Sequence, residues 1–208
     1  MLTVHHLGVS QSERIVWLCE ELEIPYELKR YDRVPPGRGM GPPEYKALHP
    51  LGTAPIITDG DVVLPESGAI MQYIIGKYGQ GRMALGPTSP NFADYLFWFH
   101  FSNASFLPSQ TGAPRDDESP RAQFMRARSD RAWALVETRL GEVPYFAGQE
   151  FTAADIIMGF ALTTMRAFAP HDISGNPNIL AYLQRIGARP AYQRAMAKGD
   201  PQMTPMLT

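Results

Sequence analysis

Strand-like alternation occupies only the first ~80 residues of this chain, and from about Pro90 onward no convincing strand appears. That asymmetry limits the fold severely, because strands need strand partners and every candidate lies in one stretch. Thr3–Leu7 reads as a short strand, followed by a turn at Gly8-Val9-Ser10-Gln11. From about Glu13 to Leu22, Ile15, Val16, Leu18, Cys19 and Leu22 recur at the spacing of one buried helical face. Ser12 suits the N-cap of that helix, and Pro25 closes the connection. Tyr26–Tyr31 alternates as a second strand, and the proline- and glycine-rich run Val34–Pro43 is loop. Ala54–Thr58 and Val62–Leu64 flank Asp59-Gly60-Asp61, a strong hairpin signal. A helix beginning near Ser67 carries Ile70, Tyr73, Ile74 and Tyr78 and ends at Gly79. The order is β-α-β, an irregular connection, then β-β-α.

Gly79–Ser89 is a glycine- and proline-rich linker. Beyond it, helical spacing covers Asn91–Phe106, Glu118–Leu140, Ala153–Ala167, Asn178–Ile186 and Pro190–Ala197. The expected organisation is therefore a mixed domain over 1–80 and an all-helical domain over 88–208. A chain of 208 residues, 44% hydrophobic and 19% charged, can build two cores of that size.

Other bulk properties exclude whole classes of function. A formal net charge of −2 gives no electrostatic reason to bind nucleic acid or an anionic membrane. The apolar runs are far shorter than the roughly 18 residues of a spanning helix. The opening residues lack a basic region followed by an apolar stretch, so no secretory signal is expected and a cytoplasmic location is. A single cysteine, Cys19, permits neither an internal disulfide nor a CxxC pair, and its place on the apolar helix face marks it as core. His5 and His6 sit in a strand without a carboxylate or cysteine cluster, so they read as structural and no metal is expected.

Four segments carry a resemblance to the cytosolic glutathione transferase family. His49-Pro50-Leu51-Gly52-Thr53-Ala54-Pro55 resembles its approach to a cis-proline before the third strand. Leu64-Pro65-Glu66-Ser67-Gly68-Ala69-Ile70 is similar to its Glu-Ser-x-Ala-Ile helix start. Phe151-Thr152-Ala153-Ala154-Asp155-Ile156 resembles its capping box in the helical domain. Ala188-Arg189-Pro190-Ala191-Tyr192-Gln193-Arg194-Ala195 resembles its last-helix segment. They occur in order and at natural spacing over nearly the whole chain. The resemblance implies an α+β thioredoxin-like N-terminal domain followed by an all-α helical bundle, assembled as a homodimer, with glutathione as co-substrate. The opening Ser-x-Ser-x-x-Arg-x-x-Trp-Leu-x-Glu-Glu-Leu pattern is similar to a serine-type group shared by bacteria and fungi.

Within that resemblance each site residue has a chemical task. A cis bond at Ala54-Pro55 turns the Ala54 N–H and C=O toward an extended peptide ligand; without the resemblance, a proline opening a strand is unremarkable. Ser67 at a helix N-terminus suits the γ-glutamyl carboxylate, and Glu66 suits its ammonium group. Arg38 and His49 flank the loop leading to Pro55 and are candidates for the glycine carboxylate, although both also read as solvated loop charges. Ser10 lies where the family keeps its thiol-activating side chain. A thiol near pKa ~8.5 is mostly protonated at neutral pH, and a hydroxyl donating to sulfur stabilises the reactive thiolate. Ser12, two residues on, is equally able to donate, and is otherwise the helix cap. Serine in place of cysteine disfavours disulfide exchange and favours conjugation.

The second substrate is expected to be a small hydrophobic electrophile. Tyr95, Trp98, Phe99, Ser102 and Phe106 form an aromatic helical face, of which Tyr95, Phe99 and Ser102 are the pocket candidates, although such a stripe also reads as plain core. Gly112-Ala113-Pro114-Arg115, Met203 and Met206 are positioned to complete or cover it. The expected function is a glutathione transferase. Peroxide reduction, ether cleavage, dehalogenation and isomerisation use the same thiolate. A non-enzymatic binding or interaction protein on the same fold is the alternative.

Overall fold

The computed structural model describes residues 1–36, 39–111 and 117–208. The chain divides into two compact units, Met1–Ala84 with Gly187–Pro205, and Leu85–Ile186 with Met206–Thr208.

The first unit holds a four-stranded mixed sheet in the order β2-β1-β3-β4. Its strands are β1 (Leu2–Leu7), β2 (Glu27–Tyr31), β3 (Ile56–Asp59) and β4 (Val62–Pro65). β1 runs parallel to β2, with His6 opposite Arg30, and antiparallel to β3, with His5 opposite Ile56. The crossover that a parallel pair needs is supplied by α1 (Glu13–Leu22). β3 and β4 form the hairpin, Gly60 adopting a φ of 60° in the turn that its lack of a Cβ allows.

Alternation along β1 sends its side chains to two different layers. Leu7 joins Tyr31, Tyr45 and Ile56 in a buried cluster, and Tyr45 is carried by the short helix α2 (Pro43–Lys46). α3 (Ser67–Lys77) follows β4 and is tied to the hairpin by Asp59, which accepts hydrogen bonds from Tyr73, Lys77 and Tyr78. The unit is completed by α9 (Pro190–Gly199). Tyr192 of α9 meets Trp17 of α1 edge-on, ring centroids 4.7 Å apart. Arg189 grips Glu21 with two hydrogen bonds of 2.6 and 2.7 Å, and Arg194 and Lys198 both reach Glu20.

The second unit is helical. It contains α4 (Phe92–Phe101), α5 (Leu107–Gln110), α6 (Pro120–Glu142), α7 (Ala153–Leu162) and α8 (Pro177–Gly187, whose last residue falls in the first unit). The helix expected over 91–106 is longer and less regular than its spacing suggests. After α4 the chain makes a π-helical turn, Ser102–Phe106, and re-enters α-helix at Leu107. Pro108 explains the widened turn, since it has no N–H for an i→i−4 bond and its ring crowds the preceding turn. α7 ends at Leu162 rather than 167 and passes into a 3₁₀ turn at Thr164–Ala167. Among the described residues, no helix is long and apolar enough to cross a membrane.

Candidate functional site

The sheet register gathers one set of candidates at a single edge. β1 and β3 run antiparallel, so the turn leaving β1 lies at the end where β3 begins. β3 and β4 are paired with Ile56 opposite Pro65, which brings Ala54-Pro55 beside Glu66-Ser67. The Ala54-Pro55 peptide bond is cis. Glu66 is the N-cap residue of α3, and it is exposed. Its φ of 75° and ψ of 117° lie outside the regions open to L-residues, a conformation that costs about 1–3 kcal/mol. Ser67 is the first helical residue of α3 and is 1% exposed.

Ser67 does not stand alone. Its Oγ accepts a hydrogen bond from Arg14 Nη1 at 3.2 Å, and the same nitrogen donates to Gln11 Oε1 at 2.8 Å. Arg14 is fully buried, and burial pushes its guanidinium down to about 9. This charge beneath the α3 N-terminus adds to the partial positive charge of the helix end, so the spot favours an anion. Nothing in the spacing of Arg14 shows that it reaches a serine 53 residues along the chain.

The β1–α1 turn is held rigidly. Val9, a β-branched residue, has a φ of 49°. Its N–H donates to Asp200 Oδ1 at 2.9 Å and its carbonyl accepts from Arg33 Nη2 at 2.8 Å. Arg33 also donates to the carbonyls of Gly8 and Gly39. Neither Arg33 nor Asp200 was visible as a site residue, because their partners are main-chain atoms of a remote turn.

Next in the turn come the two serines. Ser10 is 6% exposed and Ser12 is 0% exposed. Ser12 occupies the N-cap position of α1, but its hydroxyl makes no capping bond. It accepts the Leu7 N–H at 3.2 Å and contacts His6 Nδ1 at 2.9 Å and Ser10 Oγ at 2.7 Å. The expected cap role is thus replaced by a link from the turn back into β1. Ser10 Oγ lies 2.6 Å from the Leu7 carbonyl, which can accept its hydrogen. His6, read from sequence as structural, is fully buried and bonded to Asp200 as well as Ser12. His5 faces the other layer, between the Tyr31 hydroxyl and Thr58.

His49 turns its Nδ1 onto the Leu51 N–H of its own turn. Arg38 lies outside the described residues, as do Gly112, Ala113, Pro114 and Arg115. In the helical unit Tyr95, Phe99 and Ser102 are buried at 5%, 1% and 0% exposure. The Tyr95 and Phe99 rings are 5.7 Å apart, and Ser102 donates to the Ile157 carbonyl at 3.0 Å. They sit as core groups, and a hydroxyl spent on a main-chain carbonyl is not offered to a ligand. A cavity of about 560 Å³ in this unit is lined by Gln110, Ser129 and His171, and by none of those three. A second cavity, about 480 Å³, lies in the first unit beside the β1–α1 turn, lined by Val9, Arg33, Pro36, Asp200 and Met203 among others. Cys19 is buried and its thiol is pushed up by that burial, with Glu20 adding to the effect.

Comparison with known proteins gives a consistent result. The family model described as the glutathione S-transferase N-terminal domain matches residues 5–82, and that of the C-terminal domain matches residues 119–185. Glutathione S-transferase 3 of Schizosaccharomyces pombe is 34% identical over 95% of this chain and 88% of its own length. The crystal structure of a glutathione S-transferase from Actinobacillus pleuropneumoniae superposes with a TM-score of 0.88 at 34% identity, covering 100% of this chain and 99% of that one. A theta class glutathione S-transferase from Xanthomonas axonopodis pv. citri, solved with glutathione bound, gives a TM-score of 0.68 at 26% identity, over 93% and 96% of the two chains.

Proposed function

The chain belongs to the glutathione S-transferase family, and from that premise we propose that it activates the thiol of glutathione through Ser10 for attack on a hydrophobic electrophile. It is a transferase, with glutathione as its thiol substrate. We assign the grip on the tripeptide to residues 1–80. Ala54 and Pro55 present main chain to the peptide, Ser67 and the α3 N-terminus take the γ-glutamyl carboxylate, and Glu66 takes the ammonium group. Arg38 and His49 are the basic residues proposed for the glycine carboxylate. Of the helical residues 88–208, those outside Gly187–Pro205, which pack with the first unit, are assigned to the electrophile site. The burial of Tyr95, Phe99 and Ser102 makes them supports of that apolar face rather than its surface. Detoxification by a cytoplasmic homodimer is the setting that fits this chemistry.

The observation that carries the assignment is the contrast between the two serines. Ser12 is wholly enclosed, with His6, Leu7 and Ser10 around its hydroxyl, whereas Ser10 ends that chain of hydroxyls and retains slight exposure. A hydroxyl donating to sulfur lowers the thiol pKa, and each unit corresponds to about 1.4 kcal/mol. Ser10→Ala is therefore expected to stay on immobilised glutathione while turnover of a panel of electrophiles near neutral pH falls about tenfold or more. Unchanged turnover would remove Ser10 from the mechanism. Failure of the wild-type protein to bind glutathione or to turn over any electrophile would remove the enzymatic reading.

A further inference from the structure

We propose that His6 and Asp200 are the internal acceptor of the glutathione thiol proton, which reaches His6 through Ser10 and Ser12. The proposal rests on Ser10 being the residue that meets sulfur.

Four side chains lie in sequence of contact. Asp200 Oδ2 is 3.1 Å from His6 Nε2, His6 Nδ1 is 2.9 Å from Ser12 Oγ, and Ser12 Oγ is 2.7 Å from Ser10 Oγ. The two inner members, His6 and Ser12, are fully buried, and the end members are 6% and 7% exposed. α9 closes over the imidazole, since a Cβ added at Gly199 would come within 3.3 Å of His6 Nε2. Bulk water is thus kept from the middle of the chain.

Hydrogen counting sets the direction of each bond. A carboxylate only accepts, so His6 bears its hydrogen on Nε2 and donates it to Asp200. Nδ1 is then a bare acceptor, and Ser12 donates to it. Because the one hydrogen of Ser12 is used, Ser10 is the donor across the 2.7 Å contact, with the Leu7 carbonyl as its alternative acceptor at 2.6 Å. In this resting state every hydroxyl hydrogen points inward; one lone pair of Ser10 accepts the Ser12 N–H at 3.2 Å, and only the other is offered to a ligand.

A thiol arriving at that lone pair reverses the chain. The S–H bond breaks as Ser10 Oγ gains the proton. Ser10 passes its own hydrogen to Ser12, and Ser12 passes its own to His6 Nδ1. The products are a thiolate, with the Ser10 hydroxyl now donating to it, and an imidazolium held against the Asp200 carboxylate. Atoms and charge balance within the protein, with no solvent acceptor. The Leu7 carbonyl cannot accept a proton and remains a bystander.

Asp200 Oδ1 also accepts the Val9 N–H, and Arg30 and Arg33 are the cations that act on its carboxylate. Burial works against the Asp200 charge, but the hydrogen bond from His6, the Val9 N–H and Arg30 act the other way, and the group is held below its usual range. The acceptor is therefore anionic before the proton arrives, as an imidazolium requires.

Proton counting on the full-length protein tests this. Glutathione is bound in weak buffer near neutral pH, with thiolate followed by ultraviolet absorbance and released protons by an indicator dye. S-methylglutathione, which has no thiol proton, corrects for other protons linked to binding. The wild-type protein is expected to release less than half a proton per thiolate formed. His6→Gln is expected to release a full proton per remaining thiolate, and Asp200→Asn, which cannot hold an imidazolium, to behave alike. Release of half a proton or more by the wild type overturns the proposal, and this reading holds even where a variant does not fold. Ser10→Ala separates the two claims. If it keeps the full thiolate signal, the Ser10 reading fails and the relay with it. If it loses the signal while the wild type releases its proton, only the relay fails.

Discussion

Glu66 combines an exposed carboxylate with a backbone conformation that L-residues avoid, at the first turn of a helix beside the cis Ala54-Pro55 bond. Strain of about 1–3 kcal/mol is retained in a native state when the surroundings over-determine it, often at a ligand site. Glycine has no Cβ and accepts such angles. Glu66→Gly is therefore expected to raise stability by about 1 kcal/mol in urea titration while glutathione affinity, measured by calorimetry, falls. A loss on both counts would assign Glu66 to structure alone. Of the residues gathered at this edge, Ser10, Ala54, Pro55, Glu66 and Ser67 are those singled out by the family resemblance. Arg14, Arg33, His6 and Asp200 are not, because each acts on atoms far away in sequence or on main chain, and neither leaves a periodic trace.

At the scale of elements, two connections are open to direct measurement. Thr152 caps α7: its Oγ1 accepts the Ala154 N–H at 3.3 Å, while Asp155 returns to the Thr152 N–H at 2.8 Å and also accepts the Phe146 N–H at 2.9 Å. Thr152→Ala is expected to cost about 1 kcal/mol, seen as a lowered midpoint in thermal or urea unfolding. An unchanged midpoint would deny the cap any weight. α1 and α9 are joined by Glu20, which accepts from Lys198 at 2.5 Å, Tyr26 at 2.7 Å and Arg194 at 3.0 Å. Burial pushes its carboxyl up, but these hydrogen bonds outweigh burial and leave it lowered. A carboxyl lowered by folding stabilises the native state above its unfolded value of about 4.3, and that contribution is lost as pH falls through the folded value. Glu20→Gln is expected to flatten the fall in stability below about pH 4. A variant as acid-sensitive as the wild type would show that other carboxylates dominate. The Ala188–Ala195 segment thereby gains a physical account: Arg189 and Arg194 anchor α9 to α1, and Tyr192 packs on Trp17.

For the whole molecule, the decisive fact is that the first unit is not continuous in sequence. It uses residues up to Ala84 and then Gly187–Pro205, with the helical unit inserted between. A chain ending at Ala84 loses the helix that covers Trp17 and the basic partners of Glu20 and Glu21. Fully burying one large apolar side chain is worth about 1.5–3 kcal/mol, a large fraction of a net stability of about 5–15 kcal/mol. Residues 1–84 alone are therefore expected to show no cooperative unfolding transition by circular dichroism. A transition matching that of the full chain would show that α9 is dispensable.

Local patterns in the sequence carried the strand-rich first part, the hairpin and the long helices, but not the short helices α2 and α5. What they carried follows from local rules, namely side-chain periodicity, turn residues and capping patterns, each readable within a window of about 10 residues. The packing of the whole chain settles that α9 belongs with the sheet, that Tyr95, Trp98 and Phe99 of α4 are core, and that Ser12 faces His6 rather than capping its helix. Those outcomes depend on which distant groups compete for one buried hydroxyl, carboxylate or ring face. Asp200 meets His6 across 194 positions of chain. No local pattern records such a meeting, because the energy that fixes it is that of satisfying buried polar groups after the chain has packed.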